Sequence, residues 1–311
     1  MPTAVIIGFE YKVNKLTGAI VDIYRAYNWC ESFGCNIYVL TDIINIKTTV
    51  VKHEVKDARG LLDNISKILD KEIKDNKLIL YYSGHGKKES MVMPDQSLLS
   101  FVKFRDEIIN ILSETVEIFW ILDCCNPNGL YLPYKLEKEH FILSSLKIKC
   151  VKQPIMLITS AEPHEKSIAT KNGSIFSENL FRILSELNND DDIPITRNNK
   201  VVIPITKNRN LTRLINNLTS SMRKLKTGYT QTVSVYSSYI TDPVLWMWIG
   251  SSKKYDIVTD ITLSTLIIRP NININKNNDN KNKNNISYTD DIIDDEIVTI
   301  QNPYDLIYTE Y

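Results

Sequence analysis

Strand-length apolar runs alternate with helical stretches over the first 185 residues of this chain. The stretches between the runs carry apolar residues at helical spacing, most clearly in 16–33 and 58–75 and less regularly in 98–113. Strand–helix–strand repetition is typical of βαβ units, so it predicts an α/β fold with a mainly parallel sheet and helices on both faces. The runs themselves are nearly continuous in Val, Ile, Leu, Tyr or Phe, as expected of strands buried on both faces: 3–9, 36–41, 77–84, 117–123 and 154–160.

The later part of the chain completes this domain and then changes in character. Asn occupies nine of the fifteen positions in 271–285, mostly beside Lys, and such a stretch cannot bury a core. We therefore predict one domain over 1–250, followed by a partly disordered, Asn-rich tail with an acidic end over 251–311. Five further elements are predicted inside the domain: a helix at 175–187, an exposed loop at 188–200, a helix at 210–226, a strand at 230–240 and a packed apolar segment at 244–249.

The overall charge of the chain is balanced. Lys and Arg together number 37, as do Asp and Glu, which argues against a nucleic-acid coat or a basic membrane binder. No apolar run reaches the roughly 18 residues of a membrane span, and the apolar N-terminus lacks the basic lead-in of a signal peptide. We expect a soluble, cytoplasmic protein with no nucleic-acid or membrane partner.

The five cysteines do not indicate a structural framework. Their number is odd in a large chain, so disulfides of the secreted kind are not expected. Cys30 and Cys35 have no second Cys or His pair at zinc-finger spacing. No metal site is predicted.

Reactive side chains follow two of the predicted strands. His85 stands between two glycines after the third strand, and Cys124 and Cys125 follow Asp123 at the end of the fourth. Because the carboxyl ends of parallel strands meet at one edge of a sheet, these loops should face each other. A lone loop His is more often a surface group, and a buried Cys is usually inert. Their pairing favours a thiol nucleophile with an imidazole base.

The residues around these two loops resemble the clan of caspases, metacaspases and paracaspases, and the metacaspase side in particular. The resemblance covers roughly 3–240 and rests on four motifs in order: VIIGFEYKVNKLTGAIVD (5–22), YYSGHG (81–86), DCC (123–125) and LITSAEPHEKSIATKNGSIFSENLF (157–181). It implies a three-layer caspase-like sandwich with a mainly parallel six-stranded sheet. It also implies a large-subunit-like part over 1–130, a linker over 131–153 and a small-subunit-like part over 154–250.

The resemblance also assigns catalytic roles. His85 becomes the general base and Cys125 the nucleophile, while Cys124 becomes a spectator because the family places its nucleophile two positions after the Asp. The backbone N–H groups of Gly86 and Cys125 would form the oxyanion hole. These roles imply a cysteine endopeptidase acting on protein or peptide substrates.

Substrate choice is implied by three aligned pocket positions. Asp22, Ser83 and Asp123 match the residues that face the side chain before the scissile bond in metacaspases, and they favour Arg or Lys there. A caspase pocket for Asp would need arginine at these positions, and none of the three is arginine. Taken singly, Asp22 could instead be an exposed helix acid, and Asp123 could be a turn or cap residue.

Some residues depart from the family pattern. The loop Asn126–Gly129 is one residue longer than the family's His-Ser-Gly, and Ala19 replaces a pocket Cys. Residues 87–96 lack the acidic cluster that binds activating calcium in many metacaspases, so calcium dependence is possible but not expected, and no other cofactor is predicted. The altered loop leaves open a catalytically inactive caspase-like module that acts by protein binding.

Several interpretations stay open or are weak. Lysines in the linker, at 135, 138, 147, 149 and 152, could be sites of self-cleavage or simply a solvated face. His53 and His140 are interpreted as surface residues, and His164 is placed near the site, in the loop after the fifth predicted strand, with no role assigned to it. A nucleotide-binding doubly wound protein fits the sheet pattern but lacks a glycine-rich phosphate loop after any strand. The sequence of 230–240 does not decide between a monomer and a caspase-type dimer.

Overall fold

The computed structural model describes most of the predicted domain. The apolar segment predicted at 244–249 and the tail predicted over 251–311 lie outside the described residues. The described residues are 1–44, 46, 51–72, 76–127, 132–138, 140–144, 151–189, 195–197, 200–202, 211–223 and 231–239.

The strands and helices follow the predicted order, with several short strands added. The helices are α1 (Ala19–Ser32), α2 (Ala58–Glu72), α3 (Phe101–Phe104), α4 (Ile175–Asn189) and α5 (Leu211–Arg223). The strands are β1 (Thr3–Gly8), β2 (Asn36–Thr41), β3 (Val51–Glu54), β4 (Lys77–Ser83), β5 (Ser90–Val92), β6 (Leu98–Ser100), β7 (Glu117–Asp123), β8 (Tyr134–Glu137), β9 (His140–Leu143), β10 (Ile155–Thr159), β11 (Ala169–Thr170), β12 (Gly173–Ser174), β13 (Ile195–Arg197), β14 (Lys200–Val202) and β15 (Ser234–Ser237).

One large sheet organises the described part of the domain. Its nine strands lie in the order β3-β2-β1-β4-β7-β10-β15-β8-β9. Every pair from β3 to β10 is parallel, whereas β15, β8 and β9 each pair antiparallel with the strand before them in this order. The predicted α/β fold with a mainly parallel sheet is therefore confirmed.

The sheet has nine strands where six were predicted. The six predicted strands are present, and β3, β8 and β9 extend the sheet at its two ends. These three strands were missed because each contains exposed or only partly buried positions instead of a continuous apolar run. Two of them lie in the stretch 131–153 that was predicted to be a linker.

Helices cover both faces of the sheet, because successive side chains of each central strand point to opposite faces. On one face, Ile6 and Phe119 pack with α1, α4 and α5. On the other face, Val5 and Trp120 pack with α2, α3 and the turn after α3. The result is the predicted arrangement of three layers.

The helix predicted at 98–113 is broken into three short pieces. Leu98–Ser100 is strand β6, and the Ser100 side chain then caps α3 by accepting a hydrogen bond from the Lys103 N–H at 3.0 Å. A π-helical turn, Arg105–Ile109, follows. The irregular apolar spacing of this segment is consistent with the break.

The fold brings the ends of β4 and β7 side by side. These strands are parallel neighbours at the centre of the sheet, and Ser83 is paired in register with Asp123. The loops that carry His85 and Cys125 therefore leave the same edge.

Within the described residues, no helix is long and apolar enough to cross a membrane.

Candidate active site

The loops after β4 and β7 touch directly. The Gly84 N–H donates to the Asp123 carbonyl at 3.2 Å. Gly86 lies so close to the Cys125 carbonyl that a Cβ atom at this position would collide with it, and it would also lie 3.0 Å from Sγ of Cys124. Glycine at position 86 is thus what allows the imidazole loop to lie against the thiol loop.

The imidazole of His85 is oriented by the loop after β1. Its Nε2 lies 2.7 Å from the Asn14 carbonyl oxygen, and the ring packs on Tyr11 with centroids 4.6 Å apart. A carbonyl oxygen can only accept a hydrogen bond, so Nε2 carries the proton. Nδ1 is then left as the nitrogen that can accept a proton.

Two buried tyrosines hold the backbone of the same residue. The Tyr11 hydroxyl accepts from the His85 N–H at 2.8 Å and donates to the Val92 carbonyl at 3.0 Å. The Tyr82 hydroxyl donates to the His85 carbonyl at 2.7 Å. Burial raises the pKa of both tyrosines, so each keeps its proton and can donate.

The two adjacent cysteines have different surroundings. Cys124 is 1% exposed and belongs to the core, and burial raises the pKa of its thiol well above the usual value. Cys125 is partly exposed, and its Sγ donates to the Ser167 carbonyl at 3.7 Å. Burial also raises the pKa of Cys125, although the positive charge of Lys166 opposes this. The Cys125 thiol therefore needs a base to become a thiolate.

Two backbone donors beside the thiol are available. Among the described residues, the N–H groups of Gly86 and Cys125 donate to no other backbone group. The chain turns sharply after Cys125, with Asn126 at φ 47° and its N–H donating to the Glu165 carbonyl at 3.0 Å. The end of the altered loop, 128–129, lies outside the described residues.

The carboxylates of Asp22 and Asp123 form a buried pair close to the thiol loop. Their exposed fractions are 1% and 3%. Asp22 accepts from the Ser83 hydroxyl at 3.1 Å and from the Ser174 N–H at 3.0 Å. Burial, followed by the charge of Asp123, raises the pKa of Asp22 to about 7. The two carboxylates therefore do not both carry a full charge near neutral pH.

Serine hydroxyls satisfy the second carboxylate. Asp123 accepts from Ser167 at 2.8 Å and from Ser177 at 2.5 Å, while burial raises its pKa. Ser177 also shares a hydrogen bond of 2.6 Å with the Tyr81 hydroxyl. Ser167 thus contacts both halves of the site, since its carbonyl holds the Cys125 thiol and its hydroxyl holds Asp123.

Comparison with protein families matches residues 1–245 to the caspase domain. The chain belongs to the caspase-domain family of cysteine peptidases. Comparison with curated proteins finds no match. The narrower resemblance to metacaspases stays a prediction.

Solved structures similar to this caspase domain share little of its sequence. The structure of protein GSU0716 from Geobacter sulfurreducens is 13% identical with a TM-score of 0.51, and the match covers 78% of this chain and 96% of that one. Caspase-1 from Spodoptera frugiperda is 12% identical with a TM-score of 0.49, covering 76% of this chain and 86% of that one. At 13% identity, the similarity to GSU0716 shows the fold alone.

The caspase domain also has an arginine beside its acidic pair, which the sequence analysis did not find. Nη1 of Arg25 lies 3.1 Å from Oδ1 of Asp22, and Nη2 lies 3.4 Å from Oε2 of Glu178 on α4. Gly173, at φ 97°, approaches so closely that a Cβ atom there would collide with both Asp22 and Arg25. The i, i+3 spacing of an acid and an arginine on α1 was the available signal.

The structure therefore brings the predicted residues together in two groups. In one group, Asp22 and Ser83 are hydrogen-bonded to each other beside Asp123. In the other, Gly86 lies against the Cys125 carbonyl and so brings the His85 loop to the Cys125 loop. The other histidines lie elsewhere or have no role in these contacts: His53 is on β3 and His140 on β9, at opposite ends of the sheet, and His164 follows β10. Asn14, Tyr11 and Ser167 were not predicted, because backbone carbonyls and long-range contacts leave no local pattern.

Proposed function

We propose that this protein is a cysteine endopeptidase that cleaves peptide bonds after Arg or Lys with a His85–Cys125 dyad. The observation that carries the proposal is the contact between the two loops. His85, with its Nε2 proton donated to Asn14, lies on the loop that packs against the partly exposed Cys125. Because Cys124 is buried in the core, Cys125 is the better nucleophile.

The reaction follows from these positions. Nδ1 of His85 takes the proton from the Cys125 thiol, and the thiolate attacks the carbonyl carbon of the substrate. The N–H groups of Gly86 and Cys125 stabilise the oxyanion, because no other backbone group of the described residues uses them. The imidazolium then protonates the leaving amine as the C–N bond breaks. Water, deprotonated by the imidazole, hydrolyses the thioester and restores both residues.

Preference for a basic side chain is proposed from the acidic pair. Asp22 and Asp123 are carboxylates in a buried site, with the hydroxyl of Ser83 beside them. A cation entering this site would lower the pKa of Asp22 again and be held by charge-assisted hydrogen bonds. A neutral side chain would not form such charge-assisted hydrogen bonds, and an ionised carboxylate would repel an acidic one.

The test is hydrolysis of fluorogenic peptides that differ only in Arg, Lys or Asp before the scissile bond. We expect wild type to cleave the Arg and Lys peptides, Cys125→Ala to cleave none, and Cys124→Ala to keep most of the activity. Activity lost in Cys124→Ala but kept in Cys125→Ala would show that the nucleophile is Cys124 and not Cys125. Cleavage of the Asp peptide in preference would overturn the proposed specificity.

A second candidate is a caspase-like module that acts by protein binding and has no activity. The full hydrogen-bonding of both pocket carboxylates by the chain's own groups favours it, as does the altered loop after Cys125. Absence of cleavage of all three peptides by folded wild type would support this alternative.

Calcium independence is part of the proposal. Among the described residues, no group of three or more His, Cys, Asp or Glu side chains is arranged to hold a metal ion. The expected outcome is the same rate of peptide cleavage with millimolar calcium and with a chelator. Strong stimulation by calcium would contradict this part of the proposal.

A further inference from the structure

Arg25 forms an ion pair with a carboxylate of the proposed pocket. Its guanidinium bonds Oδ1 of Asp22 at 3.1 Å, and its other nitrogen lies 3.4 Å from Glu178. The Arg25 side chain is 24% exposed, whereas that of Asp22 is 1% exposed. Arg25 therefore reaches the buried acid from the solvent side of α1.

The oxygens of Asp22 are already shared among the chain's own donors. Oδ1 accepts from Arg25 and from the Ser174 N–H, and Oδ2 accepts from Ser83 and from the same N–H. A substrate guanidinium binds a carboxylate best through two parallel hydrogen bonds to both oxygens. With Arg25 in place, the substrate meets a carboxylate whose Oδ1 is occupied and whose charge is already balanced.

We propose that Arg25 is a specificity-determining residue that competes with the substrate's basic side chain for Asp22. In this role it limits how strongly the pocket prefers Arg over a neutral side chain of the same shape. The inference rests on the proposed function, since it assumes that Asp22 faces the residue before the scissile bond. None of the pocket positions predicted from sequence is an arginine. Arg25 lies one turn after Asp22 on α1.

The charged groups around Asp22 predict how the effect depends on pH. Asp123 on β7 opposes its ionisation and Arg25 favours it, while Tyr81 on β4 is neutral and Glu178 on α4 acts through Arg25. Removing Arg25 would free Oδ1 but would also raise the pKa of Asp22 further. The gain in binding of a basic side chain should therefore be small below pH 7 and larger above it.

The main experiment compares Arg25→Met with wild type on peptides that carry Arg or citrulline before the scissile bond. Citrulline is neutral and has nearly the shape of arginine. At pH 8.5 we expect the ratio of kcat/KM for Arg over citrulline to rise about tenfold in Arg25→Met, through a lower KM for the Arg peptide. At pH 6.5 the rise should be smaller. An unchanged or lower ratio at pH 8.5 would overturn the inference.

Three variants serve as controls. Arg182→Met removes an exposed arginine of α4 that pairs with Glu186, and it should leave the ratio unchanged. Arg25→Lys keeps the positive charge and should return the ratio towards wild type. Glu178→Gln removes the other partner of Arg25 at an exposed position, so Arg25 should pair more fully with Asp22 and the ratio should fall. Should Arg25→Met fail to fold, an unchanged ratio in Glu178→Gln would overturn the inference.

Binding separates this inference from the proposed activity. Both peptides are titrated calorimetrically into Cys125→Ala with and without Arg25→Met. Tighter binding of the Arg peptide in the double variant supports the inference even if wild type is inactive. Equal binding overturns the inference alone, and no binding by either variant overturns the acidic pocket as well.

Discussion

At the scale of single residues, the site depends on groups that hold other groups in place. The His85 ring is fixed by Asn14 and Tyr11, and its backbone is fixed by Tyr11 and Tyr82. None of these partners takes part in the proposed bond making. Their effect on the reaction is through the position of the imidazole, and small displacements of a catalytic group are costly.

Tyr11→Phe tests this positioning. The change removes a hydrogen bond from the His85 N–H and another to the Val92 carbonyl, while the ring that packs on the imidazole stays. We expect kcat to fall by about tenfold to a hundredfold with little change in KM. Tyr27→Phe, which loses a bond to Glu31 on α1, is the matched control. A fall in kcat of the same size in both variants would show that the effect is not one of position.

The raised pKa of Asp22 predicts a pH dependence of stability. The folded state holds this proton up to about pH 7, whereas an unfolded Asp loses it near pH 3.8. Folding therefore binds a proton between these values, and the free energy of unfolding should fall as pH rises from about 4 to 7, by a few kcal/mol at most. Above pH 7 this contribution should be constant.

Asp22→Asn should flatten that slope, measured by urea unfolding at several pH values. Asp63→Asn, at an exposed acid of α2, should leave the slope as in wild type. A wild-type slope in Asp22→Asn would mean that another group carries the pH dependence.

At the scale of elements, the sequence predicted the central strands and missed the outer ones. The strands β1, β4, β7 and β10 are buried on both faces, so each forms an apolar run that local sequence reveals. Strands β3 and β9 lie at the sheet ends, where exposed positions interrupt the run. The strand pattern also explains why His85 and Cys125 could be predicted, since both follow central strands.

The residues around the proposed pocket could be predicted only in part, because only some of them lie on elements that leave a local sequence pattern. Asp22, Ser83 and Asp123 lie at the ends or starts of regular elements with recognisable motifs. Ser167 and Ser174 reach the acids from the segment around the hairpin of β11 and β12, whose strands have only two residues each. No periodic pattern marks so short a hairpin, and its contacts bridge more than 40 positions in the chain.

Element placement also predicts where self-cleavage could occur. Lys135 lies within β8 between two paired strands, and its Nζ bonds Glu162 at 2.7 Å. Lys138 is exposed at the turn after β8, with φ 56°. If the enzyme cuts itself here, N-terminal sequencing should give a fragment beginning at 139, which Lys138→Gln abolishes and Lys135→Gln does not. A fragment beginning at 136 would contradict this placement.

At the scale of the whole molecule, the position of β8 bears on assembly. Caspases pair through the last strand of their sheet, whereas here β15, the last of the six predicted strands, is bonded to β10 on one side and to β8 on the other. A second copy cannot pair with β15 unless β8 leaves the sheet. We therefore predict a monomer.

Sedimentation equilibrium at micromolar concentration should give a mass near 35.8 kDa. Ile142→Lys, which places a charge on the outermost strand β9, should not change that mass, and neither should removal of calcium. A stable dimer that persists in Ile142→Lys would mean that the molecule pairs through a surface other than this end of the sheet.

Covalent trapping is a direct test of the proposal that Cys125 is the nucleophile of a peptidase with an acidic pocket. The protein is incubated with a peptidyl acyloxymethyl ketone that carries Arg before the reactive group, and the modified residue is located by mass spectrometry of the digested chain. We expect one adduct, on Cys125, which forms much more slowly in His85→Ala and which the matching Asp reagent does not form. An adduct on Cys124, equal labelling by the Asp reagent, or no adduct on the folded wild-type protein would contradict it.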